Sequence, residues 1–533
     1  SYQDIRLLGK IFNRQKEASR IIADIKRELQ IISRKVAQIP PSKRKRVIRL
    51  MGRDQIMTPG DDSFQNEMIR AAGGIAPNLN KKGNIVPVTQ KEWQAFNPQV
   101  IYGCGGDRET AKEFFDRSGW KEVDAVKNSA IFYFPCDLTC RAATNTGYFV
   151  SWLSASIYPE VFSQKSNQVL EEKIFKTREL NINLDYIKNA RVAYSHIYDF
   201  INKTLIVDFK APMSIVSTLE GQRNAITTIG NHYSSPMCWG IGHNHGLEGV
   251  RSRVYQVIGK SMENSSFLFT GADMDNLSIK HEKFKDMNVY ALVTAGVRSN
   301  AVRMSRDEGK YYEPGTINII LLSNMQLTPR AMTRAIISAT EGKTAALLDM
   351  DVRSTYSSRI YRATGTGTDN IVVVQGTGLL IKNAGGHSKL GELIARAVYA
   401  GVQDAVYMQN GLILKRNIFQ RLKERKISLL GLISNEMCDC VGTRSDFAGA
   451  VEGILLDPRY AAFLESSLVL SDDYEKGLLK DLSSYERWCQ NIAEDIAGKE
   501  IADMSEFVDQ DDLPVVLKMA LNAILNGTYH KIR

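Results

Sequence analysis

Apolar side chains recur every three or four positions through residues 4–36 (Leu7, Leu8, Ile11, Ile22, Ile25, Leu29, Ile32) with basic and acidic residues between them. That spacing predicts one long amphipathic helix, ended before Pro40 and Pro41. Short apolar runs at 46–51, 86–88, 100–102 and 130–134 then alternate with helix-like stretches at 89–96 and 147–158, the pattern of a small α/β unit. Residues 163–180 are polar with few anchors and read as a linker. β-rich runs follow at 204–209, 214–218 and 225–229, separated by turns, which predicts antiparallel pairing; 267–270 and 289–294 read as central strands. Thr328 and Pro329 form an N-cap and first helical position, opening a helix expected to reach about 340–341. The β-branched run Ile371, Val372, Val373, Val374 reads as a buried strand, and 389–408 as a helix capped by Ser388. From residue 412 onward, apolar residues at helical intervals (418–433, 447–456, 474–496, 513–526) predict a helical appendage.

The elements together describe a mixed α/β chain of several domains, for which 533 residues, 44% hydrophobic and 24% charged, are ample. The net charge of +9 is modest, and its basic residues concentrate in the first sixty. The densest run, Ser42, Lys43, Arg44, Lys45, Arg46, has no interleaved aromatic residues and reads as a solvated connection, so no nucleic-acid partner is expected. No apolar stretch reaches membrane-spanning length. The first residue is Ser1, without Met or signal sequence, as in a processed chain or a fragment. The seven cysteines lack the paired CxxC spacing of zinc sites, and Cys438 and Cys440 have no accompanying histidine. Cys136 and Cys140 can bridge in an oxidising compartment; buried thiols are the expected state.

The densest candidate chemistry lies in residues 363–393. Thr364, Gly365, Thr366, Gly367, Thr368 and Asp369 alternate hydroxyls with glycines, a loop able to bring backbone N–H groups close to a polar ligand. Gly385, Gly386, His387 and Ser388 lead into the later helix, with His387 at its positive end. It is not a Walker loop, because GxxxxGK[ST] is absent.

The segments ATGTGTD and AGGHSKLGEL, with STLEGQR, NHY, TAGVRSNAVR, GTINIILLSN and LTPRAMTRAIISATEGKTAAL upstream, resemble the adenosylcobinamide amidohydrolase family over residues 181–410. The resemblance implies cleavage of the amide joining aminopropanol to the corrin ring, leaving adenosylcobyric acid for cobalamin salvage. It implies no cofactor, the cobalt entering only as part of the corrinoid substrate, and HExxH is absent. Hydrolysing an amide needs a base, oxyanion donors and an acid. Glu220, His232, Asp369 and His387 are the expected catalytic set, Asp369 orienting an imidazole. Thr366 or Thr368 competes with water as nucleophile. Asn231, Tyr233, Arg298, Asn300, Asn318, Thr366, Gly367, Thr368, Gly386 and Ser388 are the expected substrate contacts. His243 and His245 in CWGIGHNHG read as turn residues.

Residues 1–162 resemble the second lobe of cobalamin and siderophore binding proteins that feed ABC importers, on DDSFQNEMIRAAGGIAPN, VTQKEWQAFNPQVIYGCGG and GWKEVDAVKNSAIFYFP. The resemblance implies an ABC importer as partner and an extracytoplasmic site, against the cytosol where adenosylated corrinoids are made. The first lobe of that family is not visible, and Trp93 and Trp120 are expected to pack in the core. The competing reading of the whole is a non-catalytic corrinoid-binding component of an importer. Homo-oligomerisation is left open by the sequence.

Overall fold

The computed structural model describes residues 2–51, 55–141, 144–245, 247–308, 315–432, 444–508 and 510–533. The chain divides into two compact units: Ser1–Leu180 with Arg191–Ile206 and His232–Ser265, and Asn181–Ala190 with Val207–Asn231 and Ser266–Arg533.

In the first unit the expected single helix is two, α1 (Tyr2–Ile11) and α2 (Gln15–Val36). Asn13 takes a left-handed backbone (φ 52°), which ends α1 and folds it back so that Ile5 packs with Ala18, Ile22 and Ile25. Strands β1 (Val47–Arg49), β2 (Val100–Cys104) and β3 (Ile131–Phe134) make the small parallel sheet, in the order β1-β2-β3. Helix α3 (Thr146–Ile157) packs on α2. Trp93 is wholly buried against Trp120, its Nε1 donating to the Trp120 carbonyl at 3.0 Å, as core packing requires.

Two expectations fail in this unit. Cys136 bridges to Cys104, not to Cys140, with Cα atoms 4.9 Å apart; Cys140 is exposed and accepts from Arg49 Nη2 at 3.2 Å. The supposed linker carries a strand, β4 (Ile174–Glu179), paired antiparallel with β5 (Ile187–Ile197). β4 is an edge strand with almost every side chain exposed, so it shows no apolar alternation. Cys438 and Cys440 lie outside the described residues.

Strands β6 (Phe200–Ser217) and β7 (Gly221–Tyr233) form one long hairpin, consistent with the antiparallel pairing expected. In the second unit it joins β8 (Ser265–Thr270), β9 (Ser278–Phe284), β10 (Met287–Ala295), β11 (Ile317–Ser323) and β12 (Asn370–Val374), in the order β8-β7-β6-β12-β11-β10-β9. β12 runs parallel to β11, Asn318 opposite Asn370, and antiparallel to β6, Val372 opposite Ser217. Two helices cover it, α4 (Pro329–Asp349) and α5 (Lys389–Asn410), with an alanine-rich seam between them. α4 overruns its expected end because Gly342 is no stop: a Cβ there would lie 2.6 Å from the Ala395 carbonyl, so glycine lets α5 approach. The C-terminal region is helical as expected, with α6 (Ile418–Glu424), α7 (Arg444–Leu455), α8 (Pro458–Glu475), α9 (Ser483–Ala497) and α10 (Val515–Ile532) around their own core. Among the described residues no helix is long and apolar enough to cross a membrane.

The first unit holds a fully buried ion pair. Lys35 Nζ lies 2.6 Å from Asp199 Oδ2, and it also donates to the Asn167 carbonyl. Asp199 Oδ1 accepts the Val169 and Leu170 amides, and the residue sits with Tyr198 in a two-residue turn, both at positive φ, between β5 and β6. Asp199→Asn keeps the turn but strands the Lys35 ammonium. It should cost about 3 kcal/mol or more in urea unfolding; a loss under about 1 kcal/mol would show the pair to be dispensable.

Candidate functional site

At one end of the second unit's sheet Asp369 ties its own loop to the start of β11 and to helix α4. Its Oδ1 accepts from the Ile317 amide at 3.0 Å and from the Thr366 hydroxyl, its Oδ2 from the Thr366 amide at 3.0 Å, and it pairs with Lys343. Lys343 reaches from the buried face of α4. The Thr368 hydroxyl donates to the Gly315 carbonyl at 3.1 Å and is bonded to the Thr316 hydroxyl, while the Gly367 amide donates to the Asn300 carbonyl at 3.3 Å. The Asn300 side chain, buried, donates to the Gly315 carbonyl and accepts from Tyr356. Thus Asn300, Thr366 and Thr368 use these groups to satisfy the loop itself.

Beside this loop lies a carboxamide cluster. Asn231 Nδ2 donates to Thr294 Oγ1 at 2.9 Å, and Asn318 Nδ2 donates to Asn231 Oδ1 at 2.8 Å and to the Phe269 carbonyl at 3.0 Å. Asn318 is 1% exposed, and among the described residues no donor reaches its Oδ1. Glu220, at the β6-β7 turn, accepts from Ser266 Oγ at 2.6 Å and pairs with Arg223 at 2.9 Å. Ser266 and Phe269, which the Glu220 and Asn318 side chains bond, stand three residues apart on β8, about 10 Å along the strand. Thr218, two residues before Glu220, donates to Asn370 Oδ1 at 3.2 Å, so the second side of the turn meets the same end of the sheet. Arg298 is exposed nearby, donating to the Asn410 carbonyl at 3.3 Å at the end of α5.

His387 is not part of this cluster. Ser388 does cap α5, accepting from the Gly391 amide, but the far end of that helix is the one that meets the site, where Asn410 Oδ1 accepts from the Val297 amide. Twenty-two helical residues place exposed His387, and Gly386 and Ser388 with it, about 33 Å away. The expected catalytic His387 and the expected contacts Gly386 and Ser388 belong to the opposite end of the sheet.

His232 follows Asn231 on β7 and turns to the other face. It is wholly buried, with Nδ1 2.8 Å from the Thr204 hydroxyl, and burial pushes its pKa down to about 3. A ring held neutral across the physiological range is a poor proton carrier. Tyr233 is buried beneath Lys203 Nζ, 5.7 Å from its ring centroid. His243 and His245 lie in a helix, Pro236–His245, not in a turn, and their side chains are outside the described set.

Lys343, Thr294, Thr316 and Ser266 were not singled out from the sequence. Only Lys343 carried a usable signal: it sits on the face of α4 marked by Ala335, Ala339, Gly342 and Ala346, where a lysine must find a partner.

Residues 184–413 match the adenosylcobinamide amidohydrolase family and residues 1–138 the periplasmic binding protein family. An uncharacterised protein of Methanocaldococcus jannaschii is 40% identical over 226 residues, 39% of this chain and 87% of the relative. An adenosylcobinamide amidohydrolase of Methanosarcina mazei is 32% identical over 146 residues, 26% of this chain and 63% of that enzyme. An uncharacterised ABC transporter substrate-binding lipoprotein of Bacillus subtilis is 29% identical over 164 residues, 31% of this chain and 51% of the relative, so the chain spans about half of that lipoprotein. Among solved structures, a possible iron-binding, periplasmic solute-binding protein of Staphylococcus epidermidis aligns at 20% identity and a TM-score of 0.26, over 30% of this chain and 61% of its own.

The depressed pKa of His232 has a pH consequence. The unfolded imidazole titrates near ~6.5, so its burial is costless above that pH and penalised below it. Stability is therefore complete above pH ~6.5 and falls as pH drops toward 3. His232→Asn should flatten that acid slope in urea unfolding, and the ring resonances should not shift between pH ~8 and ~4. A ring titrating near ~6.5 would show that His232 is not buried as described.

Proposed function

Because the chain belongs, through residues 184–413, to the adenosylcobinamide amidohydrolase family, we propose that it hydrolyses the aminopropanol amide of adenosylcobinamide to adenosylcobyric acid. The binding-protein unit would deliver or retain the same class of corrinoid, with an ABC importer as partner. The observation that carries the reading is the set of contacts between the quoted motifs: NHY meets GTINIILLSN where Asn231 bonds Asn318, GTINIILLSN meets ATGTGTD where the Ile317 amide donates to Asp369, and STLEGQR reaches the next residue, Asn370, through Thr218.

The chemistry follows from what those groups can exchange. A carboxamide offers a donor and an acceptor, so Asn231 and Asn318 suit recognition of amides, and the buried Asn318 Oδ1 has no donor among the described residues. Glu220 serves as general base: it takes a proton from water, whose oxygen bonds to the amide carbon, and returns the proton to nitrogen as the C–N bond breaks. One water is consumed, and a carboxylic acid and an amine are formed. Asp369 and Lys343 hold the Thr366 to Thr368 loop in place beside the carboxamide cluster. The cobalt arrives within the corrinoid substrate, and no separate cofactor is invoked.

Incubating the full chain with adenosylcobinamide and weighing the products by mass spectrometry tests the proposal. Released aminopropanol supports hydrolysis, whereas intact ligand retained by the protein supports the binding-only reading. Glu220→Gln should lower turnover by about 10²-fold or more, while His387→Ala, at the far end of α5, should stay within about twofold of the parent. The reverse pattern would move the chemistry to the other end of the sheet.

A further inference from the structure

Beyond the Asp369 loop, the second unit holds a charge cluster that the proposed amide hydrolysis does not use. Asp351 lies within 4 Å of five arginines: Arg353 and Arg362 at 3.1 Å, Arg421 and Arg425 at 3.2 Å, and Arg416 at 3.9 Å. Asp472 on α8 takes Arg353 in two hydrogen bonds, 2.8 and 3.1 Å, and Glu424 takes Arg416 at 2.9 Å. Five guanidinium groups thus share three carboxylates. Arg353, Arg416 and Arg425 are almost wholly buried, so the excess is not screened by solvent. Two titrations reflect it. Burial alone would raise the Asp351 carboxyl, yet Arg425, Arg353, Arg362 and Arg421 bring it down to about 2; burial, then Arg353, lowers Arg425 to about 10.

The cluster opens into a cavity of about 560 Å³. Arg362, Arg416 and Arg421 face it from the cluster, Lys415 stands on its exposed rim, and Asp349 and Glu465 are on its wall. Arg421 has a single carboxylate partner among the described residues, Asp351, which four other arginines already share. Asp349 is held by the Tyr399 hydroxyl at 2.9 Å.

We propose that this cavity binds an organic phosphate, its phosphate group taken by Arg362, Arg416, Arg421 and Lys415. Guanidinium forks match phosphate oxygens two at a time, and a dianion there offsets the surplus of buried positive charge. The volume falls within the range of small-ligand pockets and far exceeds one phosphate ion. The wall carboxylates Asp349 and Glu465 repel a bare anion but accept from hydroxyl or amino groups, which calls for a hydroxyl-bearing body such as a sugar phosphate or nucleoside monophosphate. The site stands apart from the amidohydrolase reading: it lies past the C-terminus of α4, about 12 Å along the helix direction from Lys343.

Isothermal titration of the full chain with adenosine monophosphate, ribose 5-phosphate and inorganic phosphate, each against chloride at matched ionic strength, tests the proposal. Saturable binding of at least one organic phosphate, tighter than inorganic phosphate, is expected. Lys415→Gln, on the exposed rim, leaves the buried network intact and should weaken that binding about tenfold; Arg421→Gln should do the same or more. No saturable binding by either organic phosphate, inorganic phosphate binding as tightly as they do, or an undiminished affinity in Lys415→Gln would overturn it. The rim variant decides the matter even if Arg421→Gln fails to fold.

Discussion

The candidate site depends on the Asp369 carboxylate. One group collects the start of β11 through the Ile317 amide, the preceding loop through Thr366, and helix α4 through Lys343. Desolvating an aspartate and a lysine costs several kcal/mol each, and the attraction between them repays that only where the remaining lone pairs are also filled. Here they are, by two amides and a hydroxyl. The glycines of the loop then have a local reason. A Cβ at Gly365 would stand 2.5 Å from Asp369 Oδ2 and 2.7 Å from Lys343 Nζ, so this glycine makes room for the protein's own ion pair before any ligand is considered.

Much of the fold could be read from periodicity because most elements bury one face. The β10 and β12 strands, the capped helices α4 and α5 and the long hairpin all announce themselves by apolar spacing or by capping residues. The errors fall where burial does not govern the choice. Asn13 breaks a helix whose apolar pattern continues through it, since a single left-handed residue leaves the spacing on either side unchanged. β4 is polar because it is an edge strand, and its existence rests on backbone pairing with β5. The Cys104 to Cys136 bridge joins residues 32 apart, and spacing within CxxxC says nothing about so distant a partner.

The site was legible in its parts and not in its geometry. Motif order singled out Glu220, Asn231, Asn318 and Asp369 without distance information, and the contact between Asn231 and Asn318 is a property of the sheet. The same blindness assigned His387 to the site. A loop that opens a helix and a loop that leads into a strand look equally ready in sequence, yet the rise of α5 puts them at opposite ends of one layer. Lys343 was passed over for the converse reason: a charged residue inside an alanine-rich stripe looks like a solvated position until the helix face is assigned.

The buried carboxamide pair also bears on which substrates the amidohydrolase reading admits. Ion pairs attract any charged ligand at long range, whereas Asn231 and Asn318 discriminate through hydrogen bonds that must be completed at close quarters. Their mutual bond and the bonds to Thr294 and the Phe269 carbonyl fix both side chains before a ligand arrives, leaving Asn318 Oδ1 as the buried acceptor to be filled. On the amidohydrolase reading, a substrate bearing an N–H at that point fills it. An ester or ionised carboxylate of the same shape leaves it unpaired, at a cost of about 1–3 kcal/mol. On the same reading an ionised product acid is bound less well than the amide it came from, so one acceptor would serve both recognition and release.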